Sequence, residues 1–229
     1  IGAYVIAHAL VFPLMLVAAW RWFAVWMNPD RAAAAAIGLA VYVPLGLLNW
    51  SLSLYTAIEV LSVVLAAALL TLPPSARVRG MYAALTVLAI LNRETGALLA
   101  ALWVLWYWGD KREIRYGVLL ITAAIIEYVL IRRSLGEMGH HYTLLNMWGL
   151  MWREWGTEIA LYNLLIAPLW IAAAVRWRYA DEHLRRLVLG AVAIAVSVAA
   201  FGMWHEVRLQ FPAFVLLLPV VFASPSKQS

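Results

Sequence analysis

No cysteine occurs anywhere in the 229-residue chain, which removes disulfides, thiolate catalysis and Cys-based metal sites. Charge is scarce too: Asp, Glu, Lys and Arg make up 13% of the residues, against 66% that are hydrophobic. That balance excludes an ordinary soluble globular composition. The net charge of +5 is low for a nucleic-acid binder. The Lys and Arg residues sit in short connectors rather than on one basic face, so no nucleic-acid partner is expected. No GxGxxG, Walker loop, GxSxG or CxxCH motif is present, which argues against a soluble-type nucleotide enzyme and a c-type cytochrome. Ile1 lies in an apolar stretch with neither a basic leader region nor a small-residue cleavage site. The chain therefore reads as one missing its natural start.

What remains is a series of long apolar runs. At ~20 residues per crossing there is room for about eight transmembrane helices and almost no aqueous domain. The runs are Gly2 to Trp26, Ala32 to Leu48, Leu52 to Leu72, Gly80 to Trp108, Tyr116 to Ile131, Thr157 to Val175, Leu187 to Trp204 and Leu209 to Phe222. Pro73-Pro74 closes the third, because proline cannot continue a helix. The connector Ser134 to Gly156 begins polar and becomes rich in Trp and Met from Tyr142 to Trp155, which predicts one amphipathic helix lying in the membrane interface. The expected fold class is an all-α integral membrane protein with a single transmembrane domain over 1–223 and a disordered polar tail over 224–229. Eight crossings would set loops 109–115 and 176–186 and the C-terminus on one face. Asp30, Arg77, Arg79, the 132–156 connector and the hinge 205–208 would lie on the other. Lys and Arg then divide almost evenly between the faces, so the positive-inside rule barely discriminates; clustering in two compact loops makes the first face the cytoplasmic candidate.

The fourth run carries the most informative residues. Asn92-Arg93-Glu94-Thr95 interrupts a segment that would be roughly 43 Å long as one helix, so it is either tilted or broken near Asn92 and Gly96. Charges at such depth cost several kcal/mol (estimates from about 2.5 upward) and need a partner or a hydrated cavity. Neighbours on a helix diverge by ~100°, so Arg93 and Glu94 each require a partner elsewhere, and Glu59 in the third run is the candidate for Arg93. Read structurally, this is an ion-pair network between helices. Read functionally, Arg93 binds an anionic headgroup through its planar fork and Glu94 orients the ligand or acts as a base. Glu206 and Arg208 in the hinge before the last run form a second acidic and basic pair, or an ordinary interfacial loop. Glu127 fits snorkelling near a span end. Glu137, His140 and His141 lack metal-ligand spacing, so no metal is expected. His8 and Arg21 read as structural.

Leu91-Asn92-Arg93-Glu94-Thr95-Gly96 within a span, and a late Glu206-Val207-Arg208 followed by Phe211-Pro212 and Leu218-Pro219, resemble a pattern in multi-spanning prokaryotic glycosyltransferases of the GT-C type. The resemblance covers Met81 to Pro219. It implies transfer of a sugar from a polyprenyl-phosphate carrier on the extracytoplasmic side of the plasma membrane. Arg93 and Arg208 would hold the carrier phosphate, with Glu94 and Glu206 supporting them; Asn92 and Glu59 are candidate substrate-binding residues from their place beside Arg93 rather than from the resemblance. That family also has an acidic catalytic residue in a long loop after its first span. Here the only early acid is Asp30, in a short connector, so either the catalytic loop lies upstream of Ile1 or the chain is not an active transferase. Two further classes stay open. One is a non-catalytic membrane subunit packing through small residues such as Ala32 to Ala36; the other is a transporter using the mid-span charges, against which the lack of an internal repeat tells.

Overall fold

The computed structural model describes residues 2–45, 54–92, 94–135, 166–201 and 207–223. Every regular element among them is helical: α1 (Gly2–Phe23), α2 (Pro29–Leu45), α3 (Leu54–Leu70), α4 (Ala76–Asn92), α5 (Leu98–Trp106), α6 (Lys111–Leu135), α7 (Ala167–Arg176), α8 (Glu182–Phe201) and α9 (Val207–Phe222). Short 3-10 turns at Glu94–Ala97 and Trp177–Tyr179 precede α5 and α8. The all-α class is therefore observed. The expected interfacial helix and the polar tail lie outside the described residues.

One described helix, over Lys111–Ile131, is long and apolar enough to cross a membrane, not the eight expected. Shorter apolar helices occupy Ala9–Phe23, Thr56–Leu70, Thr95–Trp106 and Phe211–Phe222. Apolar runs also proved a poor guide to helix ends. α6 begins at Lys111 and α8 at Glu182, each about five residues before its run, because polar first turns are helical without being apolar.

Of the two alternatives for the fourth run, a tilted helix or a break near Asn92 and Gly96, the break is observed, and the two pieces do not continue in line. The run is a hairpin. The Tyr82 hydroxyl in α4 donates to the Leu99 carbonyl in α5 at 2.7 Å, and the Tyr82 and Trp103 rings meet at 4.8 Å. A continuous helix would hold those residues far apart, at 1.5 Å per residue. The reversal is possible because Gly96 seats against the α4 backbone: a Cβ there would fall 2.3 Å from the Ala89 carbonyl carbon.

Once that reversal is counted, the described turns sort cleanly. Helices α2, α4, α6 and α8 all begin at one end of the bundle, each opened by a short polar side chain that accepts an orphan backbone N–H. Asn28 accepts from Arg31 at 2.9 Å, Ser75 from Val78 at 3.2 Å, Asp110 from Glu113 at 3.2 Å and Asp181 from Leu184 at 2.8 Å. Trp26 meets Trp106 edge to face and Trp106 meets His183 at a tilt across that end, and the Arg176 guanidinium donates to the Ala223 carbonyl at 2.7 Å. The turns 24–28, 71–75, 107–110 and 177–181 and residue 223 thus form one rim.

This overturns the earlier assignment of faces. Arg31, Arg77 and Arg79 share the rim with the 109–115 and 176–186 loops. The rim carries Arg21, Arg31, Arg77, Arg79, Lys111, Arg112, Arg115, Arg176, Arg178, Arg185 and Arg186; the far end holds only Arg132, Arg133 and Arg208 among the described residues. A hidden reversal changes the parity of every turn before it, which is why the even division of charge was wrong.

α9 is the axis of the bundle, packing on α2, α3, α7 and α8. Its residues from Phe211 to Val220 are all buried. Outward faces are apolar instead of polar: Ile6, Leu10, Leu14 and Val17 on α1 follow helical spacing, as do Val118, Leu119, Ile125, Ile126 and Leu130 on α6.

Candidate functional site

The far end, opposite the rim, receives the fourth-run motif at the tip of its hairpin. Asn92 is the last residue of α4, and Glu94 and Thr95 open the 3-10 turn. Arg93 lies outside the described residues, and Glu94 is placed by its backbone alone. Glu59, near the start of α3, is 5% exposed and accepts a hydrogen bond from the Thr95 hydroxyl. Arg93, the expected partner of Glu59, lies outside the described residues; Thr95, two residues further on, is a donor to Glu59 among the described ones. A buried carboxylate is tolerated where donors compensate its lost hydration.

The second motif arrives at the same end. Glu206 lies outside the described residues, and Arg208 is placed by its backbone in the first turn of α9. Pro212, one turn further along, lines a small cavity together with Glu59, Ser62, Thr95, Gly96 and Ile194. Pro212 has no N–H, so it withdraws the bond that the Arg208 carbonyl would otherwise receive. The Ser62 hydroxyl donates to the Ile58 carbonyl at 2.8 Å. Two separate stretches of sequence thus converge on one polar spot in an otherwise aliphatic wall.

The cavity has room for about 20 Å³ of water centres, enough for one or two waters and far too little for a sugar or a lipid phosphate. Any larger ligand must sit at its mouth. Residues 46–53, 136–165 and 202–206, and with them Glu137, His140 and His141, lie outside the described residues. Among the described residues no group of three His, Asp or Glu converges on a metal position.

A second polar cluster, at the rim, was not anticipated. The Arg79 guanidinium donates to both Glu113 carboxylate oxygens, Nε at 3.1 Å and Nη2 more closely. Glu113 is 2% exposed. Its carboxylate, bonded to the guanidinium, holds Arg79 above its ordinary value. The Tyr116 hydroxyl donates to the Arg79 carbonyl at 2.6 Å, and the Trp103 indole N–H to the Glu113 carbonyl at 3.2 Å. Burial, then the Glu113 charge, pushes the Tyr107 phenol up to about 12, with Arg79 pulling the other way. Arg186 donates to the Trp106 and Trp108 carbonyls and to Glu182. The signal was present in the sequence. Arg79 and Glu113 flank a run too long for one crossing, and if such a run doubles back, its flanks meet.

No protein-family model, curated protein or solved structure matches the chain.

Proposed function

We propose that this chain is the membrane-embedded part of a GT-C-like glycosyltransferase, multi-pass in a prokaryotic plasma membrane, that takes its sugar from a polyprenyl-phosphate carrier at the extracytoplasmic surface. The apolar outward faces of α1 and α6 support immersion in lipid, since water-exposed helices carry polar outer faces. Helices of 16 or 17 residues, such as α3 and α9, reach about 25 Å, short of the ~30 Å hydrocarbon core by an amount that local thinning accommodates. The basic rim faces the cytoplasm by the positive-inside rule, and the far end then faces outward, where the carrier phosphate would arrive.

The observation that carries the reading is the convergence of Thr95 and Gly96 from one motif with Pro212 from the other on a single cavity at the end opposite the basic rim. Arg93 and Arg208, adjoining those residues in sequence, would grip the phosphate at the cavity mouth, and a guanidinium suits phosphate geometrically. The sugar-transfer acid would come from outside this chain's described residues.

The test is binding of polyprenyl phosphate by protein in nanodiscs, with release of carrier phosphate from a lipid-linked sugar. Arg93→Ala and Arg208→Ala should each weaken binding at least tenfold, since a hydrogen bond to a charged group is worth about 1.5–3 kcal/mol. Wild-type protein that ignores polyprenyl phosphate, or variants that bind it equally well, would exclude the transferase. One observation favours a non-catalytic membrane subunit as the second reading: the only early acid, Asp30, opens α2 at the rim, far from the motif end. A subunit would co-purify with partners and lose assembly, not turnover, in Arg93→Gln. Orientation is tested separately, with a single cysteine at position 178 in this cysteine-free chain; an impermeant maleimide should fail to label it in intact cells.

A further inference from the structure

We propose that Glu59 is the positioning residue of the 3-10 turn Glu94–Ala97, acting through the Thr95 hydroxyl. This deepens the transferase reading and rests on it for the identity of the ligand, though not for the positioning itself. The inference starts from the oddity of Glu59. It is the only ionisable side chain in the α3 sequence besides Tyr55, it is nearly fully buried, and it faces a cavity that holds only water-sized occupants. A carboxylate in such a place needs a structural or functional reason, because burying it costs several kcal/mol unless donors repay the lost hydration. The Thr95 hydroxyl is one such donor.

The second element is what this bond does to the turn. On one side Gly96 rests against the backbone of Ala89 and Ile90, closer than any side chain would allow. On the other side Thr95 is tied to α3, a helix 36 residues earlier in sequence. The turn is therefore clamped at two adjacent residues, from two different helices. Asn92 at its other edge closes α4. Glu94 opens the same 3-10 turn, so Glu59 governs where its peptide sits without touching a ligand. Binding groups held in place before the ligand arrives lose less freedom on binding, and a charge misplaced by an ångström loses much of its effect.

Threonine also suits this role. Its hydroxyl serves the bond to Glu59 and its methyl group the aliphatic wall, so valine removes the bond at nearly constant volume while serine keeps it.

The experiment pairs two readouts on Thr95→Val, Thr95→Ser, Glu59→Ala and the Thr95→Val/Glu59→Ala double variant. Hydrogen exchange of peptides covering 91–99 in nanodiscs reports the turn. Thr95→Val and Glu59→Ala should each speed exchange there about tenfold, the equivalent of roughly 1.4 kcal/mol, with little further change in the double variant and wild-type rates in Thr95→Ser. Polyprenyl phosphate binding reports the consequence: Thr95→Val should raise Kd about tenfold and Thr95→Ser should restore it, with kcat less affected than KM. Unchanged exchange in Thr95→Val, additive effects in the double variant, or no rescue by serine would each overturn the positioning role. If exchange responds as expected while wild-type protein fails to bind polyprenyl phosphate, the positioning stands and the transferase reading falls.

Discussion

The two ends of this bundle are built on different principles. At the rim, turns from every described hairpin are tied to one another: Arg79 to Glu113, Arg186 to the end of α5, Arg176 to Ala223, and Trp26 through Trp106 to His183. Each helix that starts there has its own cap. At the far end the Thr95 hydroxyl donates to Glu59, tying the hairpin tip to α3, beside a water-sized cavity. The contrast separates stability from specificity. A rim with redundant ties holds the helices in register, and the far end is free to carry a few costly polar groups whose placement depends on that register. Functional sites draw on local instability maintained by a scaffold elsewhere.

The largest way to break the comparison is at the rim. Arg79→Ala leaves the Glu113 carboxylate, 2% exposed, without its guanidinium. Stranding one partner of a buried pair is far more costly than removing both. The melting temperature should fall by about 5 °C or more, whereas the Arg79→Met/Glu113→Leu double variant should recover most of the loss. A single variant as stable as wild type would show that the pair is not holding α4 to α6.

Next in size is the hairpin tip. Gly96→Ala forces a Cβ against the Ala89 and Ile90 backbone, which cannot rotate away, at a cost of about 1–3 kcal/mol. Gly190→Ala is the matched control. Its nearest obstacle is the Leu102 Cδ1 at 2.6 Å, the end of a side chain that can change rotamer, so its cost should be smaller. Gly80→Ala, with open space around it, should be neutral or slightly stabilising by helix propensity. Denaturation of the three variants side by side gives the order; equal losses at 96 and 190 would mean that the tip is not tightly seated.

These same residues show what could be read before the fold was seen. Helices were legible because apolar runs, Pro73-Pro74 and the Asn28-Pro29-Asp30 cluster mark them locally. The convergence of motifs was half legible: Thr95 and Pro212 belong to the stretches singled out, but their meeting depends on which helices neighbour one another. The rim pair was missed for a specific reason. A hydrophobic run records depth in the bilayer or core, not direction of travel, and a reversal leaves its period unchanged. Only excess length and Gly96 marked it, and both fitted a tilted helix as well. Because topology alternates, that one ambiguity misassigned Arg31, Arg77 and Arg79 together. The Thr95–Glu59 bond spans 36 residues and has no local signature at all.

A milder perturbation sharpens the rim side. Trp103→Phe keeps the aromatic stack with Tyr82, Tyr107 and Tyr116 while removing the indole N–H that donates to the Glu113 carbonyl. A single neutral hydrogen bond is worth about 1 kcal/mol, so chemical denaturation should show a loss of that order. A loss several times larger would mean that the indole's shape, not its N–H, is what the rim requires.

The smallest expected effect isolates the electrostatics of the same cluster. The Tyr107 hydroxyl donates to the Leu72 carbonyl at 3.4 Å, and it can do so only while protonated. An unfolded tyrosine ionises near pH 10, whereas in the folded rim the phenol holds its proton to about 12. Between those values the unfolded chain releases a proton that the folded one keeps, so folding is progressively disfavoured as pH rises. The stability contributed by this group is complete below pH 10 and lost by about pH 12. Its half-exposed position screens the effect, which should stay below about 1 kcal/mol. Wild-type and Tyr107→Phe proteins should therefore differ most near neutral pH and converge above pH 12. A 295 nm difference titration should show one tyrosine fewer in the last ionisation step. Were the missing tyrosine to titrate near pH 10 instead, neither burial nor the Glu113 charge would be acting on the Tyr107 phenol, and the hydroxyl would be open to water rather than held in the rim.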